Sequence, residues 1–110
     1  MTKLISINRK INLLKKNSIQ VEGDKSLSIR FILLSSLSKG KCTAKNLLKS
    51  EDVINSINCI KSLGSKVKFN KNKCEIKGNG FHIEKKGKIF LDAGNSGTLG
   101  RLILGLLIHH

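Results

Sequence analysis

The stretch Ser50–Lys77, "SEDVINSINCIKSLGSKVKFNKNKCEIK", changes its hydrophobic period part-way along. In its first half Val53, Ile57 and Ile60 recur three or four residues apart, which places them on one face of an α-helix. Ser50 precedes that run as a capping oxygen for the free N–H groups of a helix start, and Glu51 and Asp52 suit the positive end of the helix dipole. Gly64 is placed to end the helix. Beyond it, Lys66–Phe69 and Cys74–Lys77 alternate polar and apolar residues on either side of "NKNK". That alternation puts successive side chains on opposite faces and predicts a β-hairpin.

Reading outward from this stretch extends the pattern. Towards the N-terminus, Cys42–Leu47 is expected as a strand and Ser26–Leu37 as a helix closed by Gly40. Ser18–Val21 is a short strand candidate, and Leu4–Asn8 alternates weakly enough to be another. From Ser18 to Lys77 the order is therefore β-α-β-α-β-β, an α/β (α+β) unit. Strands joined through helices predict parallel pairing with right-handed crossovers, to which the hairpin adds an antiparallel pair. Towards the C-terminus, Ile89–Asp92 is expected as a strand that feeds "AGNSGT" and then the apolar helix Leu99–Ile108. These look like the start of a second unit of the same kind.

The 110 residues suffice for one small domain with a core, and 39% hydrophobic content fits a globular chain. No apolar run approaches the roughly 18 residues of a membrane span, and no secretory leader is read at the start, so the expectation is a cytoplasmic protein without a membrane partner. Cys42, Cys59 and Cys74 are odd in number and lack metal-type spacing, which predicts reduced thiols and neither a disulfide framework nor a zinc site. The net charge of +14 raises nucleic acid as a partner. Against it stand the aromatic content of 4%, all Phe, and lysines spread through every segment. Abundant Lys, Asn and Ile with no Pro is the signature of AT-rich coding, which replaces Arg by Lys over a whole surface. No nucleic-acid partner is therefore expected. In such a chain arginine and glycine are informative, and two of the three arginines sit in glycine-containing motifs.

The first motif is "GDKSLSIR", Gly23–Arg30. Gly23 lets the backbone turn, and a helix start offers unpaired N–H groups to an anion. Lys25 adds a cation and Ser26 a hydroxyl. Arg30, four residues after Ser26, projects from the same helix face and can make paired contacts to phosphate. The second is "DAGNSGTLGR", Asp92–Arg101. Asn95, Ser96 and Thr98 are capping candidates, Gly94 and Gly97 let a bound group approach the backbone, and Arg101 follows Thr98 by three residues. Either motif alone is also compatible with an ordinary capped helix bearing a solvated cation. Two of them in an arginine-poor chain point to a phosphorylated ligand.

"GDKSLSIR" followed by "GNSGT-x-x-R", with "NLLKSEDVINSINCIKSLG" between them, resembles the N-terminal portion of the 5-enolpyruvylshikimate-3-phosphate synthases. The resemblance covers nearly the whole chain. It implies a fold of two globular domains, each of three β-α-β-α-β-β units, here one complete unit and the start of a second. It also implies that residues 1–22 carry a first strand belonging to the C-terminal domain, with a crossing near Glu22, and that residues 23–110 are part of the N-terminal domain. The reaction it implies is transfer of the enolpyruvyl group of phosphoenolpyruvate to shikimate 3-phosphate with release of phosphate, on the route to chorismate and the aromatic amino acids. No metal or organic cofactor takes part, and the full-length enzyme is expected to be monomeric. Matched residue by residue, Lys25 is expected to touch both substrates, and Ser26 and Arg30 to bind shikimate 3-phosphate. The backbone of Gly97 is expected against phosphoenolpyruvate, and against glyphosate in the same pocket, with Asn95, Thr98 and Arg101 beside it. The sequence departs from the family pattern at Ile29 and at Leu99–Gly100.

The proton-transfer residues are expected beyond His110, so the chain reads as an N-terminal fragment without activity of its own. Two alternatives remain. A UDP-N-acetylglucosamine enolpyruvyl transferase would have Lys-Asn in place of Lys25-Ser26 and would lack "GNSGT". A small basic RNA-binding module would need neither glycine motif.

Overall fold

Helix α2 spans Glu51–Ser62 and forms for the reasons its sequence gives: the Ser50 side chain accepts a hydrogen bond from the Val53 N–H at 3.4 Å, and Val53, Ser56, Ile57, Cys59 and Ile60 are buried along one face. Gly64 ends it with φ +106°, a conformation that favours glycine. The structure is a computed structural model and describes Leu4, Ser6 and residues 21–80, 82–83 and 87–108. In chain order the elements are α1 (Lys25–Ser36), β1 (Lys41–Lys45), α2, β2 (Lys66–Phe69), β3 (Lys73–Lys77) and α3 (Gly97–Leu107). The β2–β3 hairpin forms as its alternation predicts, closed by Asn70 N–H donating to the Lys73 carbonyl at 2.9 Å. The candidate strand Leu4–Asn8, apart from Leu4 and Ser6, lies outside the described residues, as does all of Ser18–Val21 except Val21.

The sheet corrects one expectation. Its order is β1-β3-β2, and both pairings are antiparallel. β1 and β2, joined through α2, do run in the same direction, but β3 lies between them and takes the hydrogen bonds of both. The crossover therefore skips one position, a split β-α-β arrangement in which a strand-helix-strand link fixes direction without fixing adjacency.

Registers Cys42↔Ile76↔Val67 and Ala44↔Cys74↔Phe69 put one face of the sheet towards the helices. The core lies there: Ile29, Ile32 and Leu33 from α1, Val53, Ile57 and Ile60 from α2, Cys74 and Ile76 from β3, and Leu99 and Ile103 from α3. Fully burying one such aliphatic side chain stabilises the fold by about 1.5–3 kcal/mol. α1 is central, since it packs against α2, α3 and β3.

Smaller differences have local causes. α1 begins one residue earlier than expected because Asp24, not Lys25 or Ser26, is the cap; it ends at Leu37, whose N–H donates to the Leu34 carbonyl, so Gly40 plays no part in stopping it. α3 starts at Gly97 because Ser96 caps it. Residues 89–92 form no strand, for no described segment pairs with them. Ile89 and Leu91 instead pack on the core while Phe90 is exposed.

Candidate functional site

The two sequence motifs become the entrances of α1 and α3. At α1, Asp24 Oδ1 accepts from the Leu27 N–H at 2.7 Å. A carboxylate of the chain itself thus occupies the positive end of this helix, and binding of an external anion falls to side chains. Gly23 is required for close packing: a Cβ there would run into the Asn46 carbonyl and the Leu48 N–H of the β1–α2 loop. Ser28 ties the same two segments, donating to the Asp24 carbonyl at 2.6 Å and accepting from the Leu48 N–H at 3.2 Å.

Lys25 and Arg30, five residues apart, turn to different neighbours. Lys25 Nζ lies 3.1 Å from Asp52 Oδ2 in the first turn of α2. Arg30, exposed, lines a groove of about 370 Å³ between α1 and α3 with Leu33, Leu34, Leu37, Leu102, Gly105 and Leu106. Ser26, half-buried, stands one turn before Arg30. The structure therefore brings Arg30 beside α3, whereas the Lys25 amine is held by a carboxylate of α2.

At α3 the connection is built in steps. Asp92 Oδ1 accepts from the Gly94 N–H at 2.8 Å, the Ser96 N–H donates to the Ala93 carbonyl at 3.1 Å, and Ser96 Oγ accepts from the Leu99 N–H at 3.0 Å. Gly94 has φ +54°, and a Cβ on it would clash with the side chain of Asn55 on α2. Gly97 differs: a Cβ there would meet nothing within 4 Å. The space outside the first residue of α3 is open to a bound group. With Ser96 as the cap, the side chains of Asn95 and Thr98 are left for other partners, and Arg101 is exposed one turn on.

Ile29 and Leu99, two of the departures from the family pattern, are fully buried and belong to the core. At Gly100 an added Cβ would make ordinary contact with Ala93. Cys59 Sγ donates to the Asp92 carbonyl at 3.4 Å, and burial, reinforced by the nearby Asp92 charge, pushes its thiol pKa up against that hydrogen bond. No group of three or more His, Cys, Asp or Glu among the described residues could hold a metal ion.

A family profile described as EPSP synthase (3-phosphoshikimate 1-carboxyvinyltransferase) matches residues 9–110. The chain belongs to the EPSP synthase family. It is 41% identical over 92 residues to the 3-phosphoshikimate 1-carboxyvinyltransferase of Thermoanaerobacter sp. (strain X514), covering 84% of this chain and 22% of that protein. It is 44% identical over 92 residues to the enzyme of the same name from Streptococcus suis, with the same coverage. Among solved structures, EPSP synthase from Acinetobacter baumannii superposes with a TM-score of 0.73 at 32% identity, over 81% of this chain and 20% of that one. The chain thus spans about a fifth of the length of the relatives it matches.

Sequence reading missed three contributors. Asp24 as the cap of α1 was signalled by an Asp directly before Lys-Ser at a helix start. Asp52 was read only as a dipole partner, although its place in the first turn of α2 also lets it reach Lys25. Asn55 against Gly94 had no sequence signal, because the contact joins residues far apart in the chain.

Proposed function

We propose that the protein carrying this chain transfers the enolpyruvyl group of phosphoenolpyruvate to shikimate 3-phosphate with release of phosphate. The observation that carries this reading is the pair of family motifs at two helix entrances, with Arg30 exposed beside α3 and open space outside Gly97. Arg30 and Ser26 bind the phosphate end of shikimate 3-phosphate. Lys25, oriented by Asp52, reaches both substrates where they meet, and the backbone at Gly97 lies against phosphoenolpyruvate, flanked by Asn95, Thr98 and Arg101.

In the chemistry, a ring hydroxyl adds to the central carbon of phosphoenolpyruvate while its methylene carbon is protonated, and the tetrahedral adduct then eliminates phosphate. Cations around the phosphate groups and the carboxylate stabilise charge that shifts during both steps. The groups that move protons lie outside this chain, so the 110 residues alone turn over nothing. Residues 1–22 belong to a second domain that closes over the site, and residues 23–110 to the domain described. The intact enzyme is a cytoplasmic monomer. Among the described residues no helix is long and apolar enough to cross a membrane.

The test is a phosphate-release assay on the intact protein. Release must require phosphoenolpyruvate and shikimate 3-phosphate together; release with UDP-N-acetylglucosamine as the acceptor, or none with shikimate 3-phosphate, overturns the reading. Arg30→Ala removes about two charge-assisted hydrogen bonds of 1.5–3 kcal/mol each, a loss of about 3–5 kcal/mol. That corresponds to a fall of roughly a hundredfold to several thousandfold in kcat/KM.

A further inference from the structure

The sheet face opposite the helices gathers lysines that the sequence spreads along the chain. Strand alternation puts Lys41, Thr43 and Lys45 of β1, Lys66 and Lys68 of β2, and Lys73, Glu75 and Lys77 of β3 on this outward face. The register aligns Lys41↔Lys77↔Lys66, one cation on each strand in a single row. Directly opposed residues on paired strands stand about 4.5–5.5 Å apart at Cβ, where like charges destabilise each other. Glu75, in the next row, offsets part of this: it pairs with Lys41 at 3.0 Å and with Lys73 at 2.9 Å. Lys66, Lys68 and Lys77 form no ion pair among the described residues.

A hollow of about 370 Å³ coincides with this row, lined by Lys41, Lys66, Val67, Lys68, Glu75 and Lys77. Four lysines against one glutamate leave three uncompensated positive charges around it. We propose that this hollow binds a small molecule bearing a chain of two or three phosphate groups, at a site separate from the substrate grip on the helices. Lysine ammonium groups act as point-charge phosphate binders, and a linked phosphate chain can meet all three cations of the row at once. A nucleic-acid strand fits less well. The outward strand positions carry no aromatic ring for base stacking, and the strand aromatic, Phe69, faces the core side with Lys49 Nζ 5.1 Å from its ring centre.

The experiment is calorimetric titration of the intact protein with inorganic triphosphate at physiological salt, with orthophosphate, a nucleoside triphosphate and single-stranded RNA as comparison ligands. Saturable 1:1 binding of triphosphate is expected, at least tenfold tighter than orthophosphate. Lys66→Gln and Lys77→Gln should each weaken it tenfold or more. Lys45→Gln, on the same face but outside the hollow, should leave it within twofold. Comparable binding of the nucleoside triphosphate identifies the phosphate chain as the part recognised, whereas at least tenfold weaker binding than inorganic triphosphate contradicts this. Equal weakening by all three substitutions would mean diffuse attraction and overturn the proposal. So would loss of triphosphate binding in Arg30→Ala with the lysine variants unaffected, tighter binding of RNA than of triphosphate, or no saturable binding. Each variant's melting temperature, unchanged for these exposed positions, confirms that folding is not the cause.

Discussion

Asp52 and Lys25 make an ion pair that joins the first turns of α1 and α2. The amine end of this pair is solvent-exposed while Asp52 is partly buried, and such surface pairs add about 0–1 kcal/mol to stability, so Asp52→Asn should barely move the melting temperature. If Lys25 serves both substrates, the same change releases the amine from α2 and should lower kcat/KM, with Asp52→Glu recovering most of the loss. Equal kinetics for wild type and Asp52→Asn would show that the pair does not position Lys25. The cysteines give a second residue-scale prediction. Burial pushes the Cys74 thiol pKa up, and burial together with the Asp92 charge does so for Cys59. Both stay protonated through neutral pH, and the stability they contribute is intact below the ordinary thiol pKa of about 8.5 and lost as pH rises through their raised values. A maleimide at pH 7 should therefore label half-buried Cys42 first, with Cys59 and Cys74 reacting only on unfolding; mass spectrometry of the labelled peptides reads this directly.

At the scale of elements, caps and close glycine contacts set where the helices start. Ser96→Ala removes the acceptor for the Leu99 N–H and should cost about 0.5–2 kcal/mol in chemical denaturation. Gly94→Ala should cost more than Ser96→Ala, because it combines φ +54° with a clash against Asn55, whereas Gly97→Ala should be close to neutral for stability. The helices and hairpin were legible in the sequence because their side-chain periods differ and their turn residues are explicit. Strand adjacency was not, since periodicity says which face a residue takes but not which neighbour it pairs with, and β3 inserts between β1 and β2. The alternation in 89–92 likewise reports a face packed on the core and says nothing about hydrogen bonding to a partner.

Over the whole molecule, the two motifs stood out in the sequence because glycine and arginine are conspicuous in a lysine-rich, proline-free chain. The split between Lys25 and Arg30 was hidden, since it depends on α2 and α3 flanking α1 on different sides. The lysine face was hidden too: in sequence the residues are scattered, and only the register of three strands assembles them. α3 leaves Leu104 and its C-cap Ile108 exposed, and α1 leaves Leu34 exposed beside the groove. Such apolar surface promotes association, so the 110-residue chain should sediment as more than a monomer at high concentration, with Leu104→Lys restoring the monomer. The proposed substrate site is tested most directly at Gly97, where a methyl group enters open space without disturbing the fold. In steady-state kinetics of the intact enzyme, Gly97→Ala should raise the KM for phosphoenolpyruvate, weaken glyphosate inhibition by a larger factor, and leave the KM for shikimate 3-phosphate within about twofold. Unchanged phosphoenolpyruvate and glyphosate constants, or an equal loss for shikimate 3-phosphate, would contradict the placement of phosphoenolpyruvate against the start of α3.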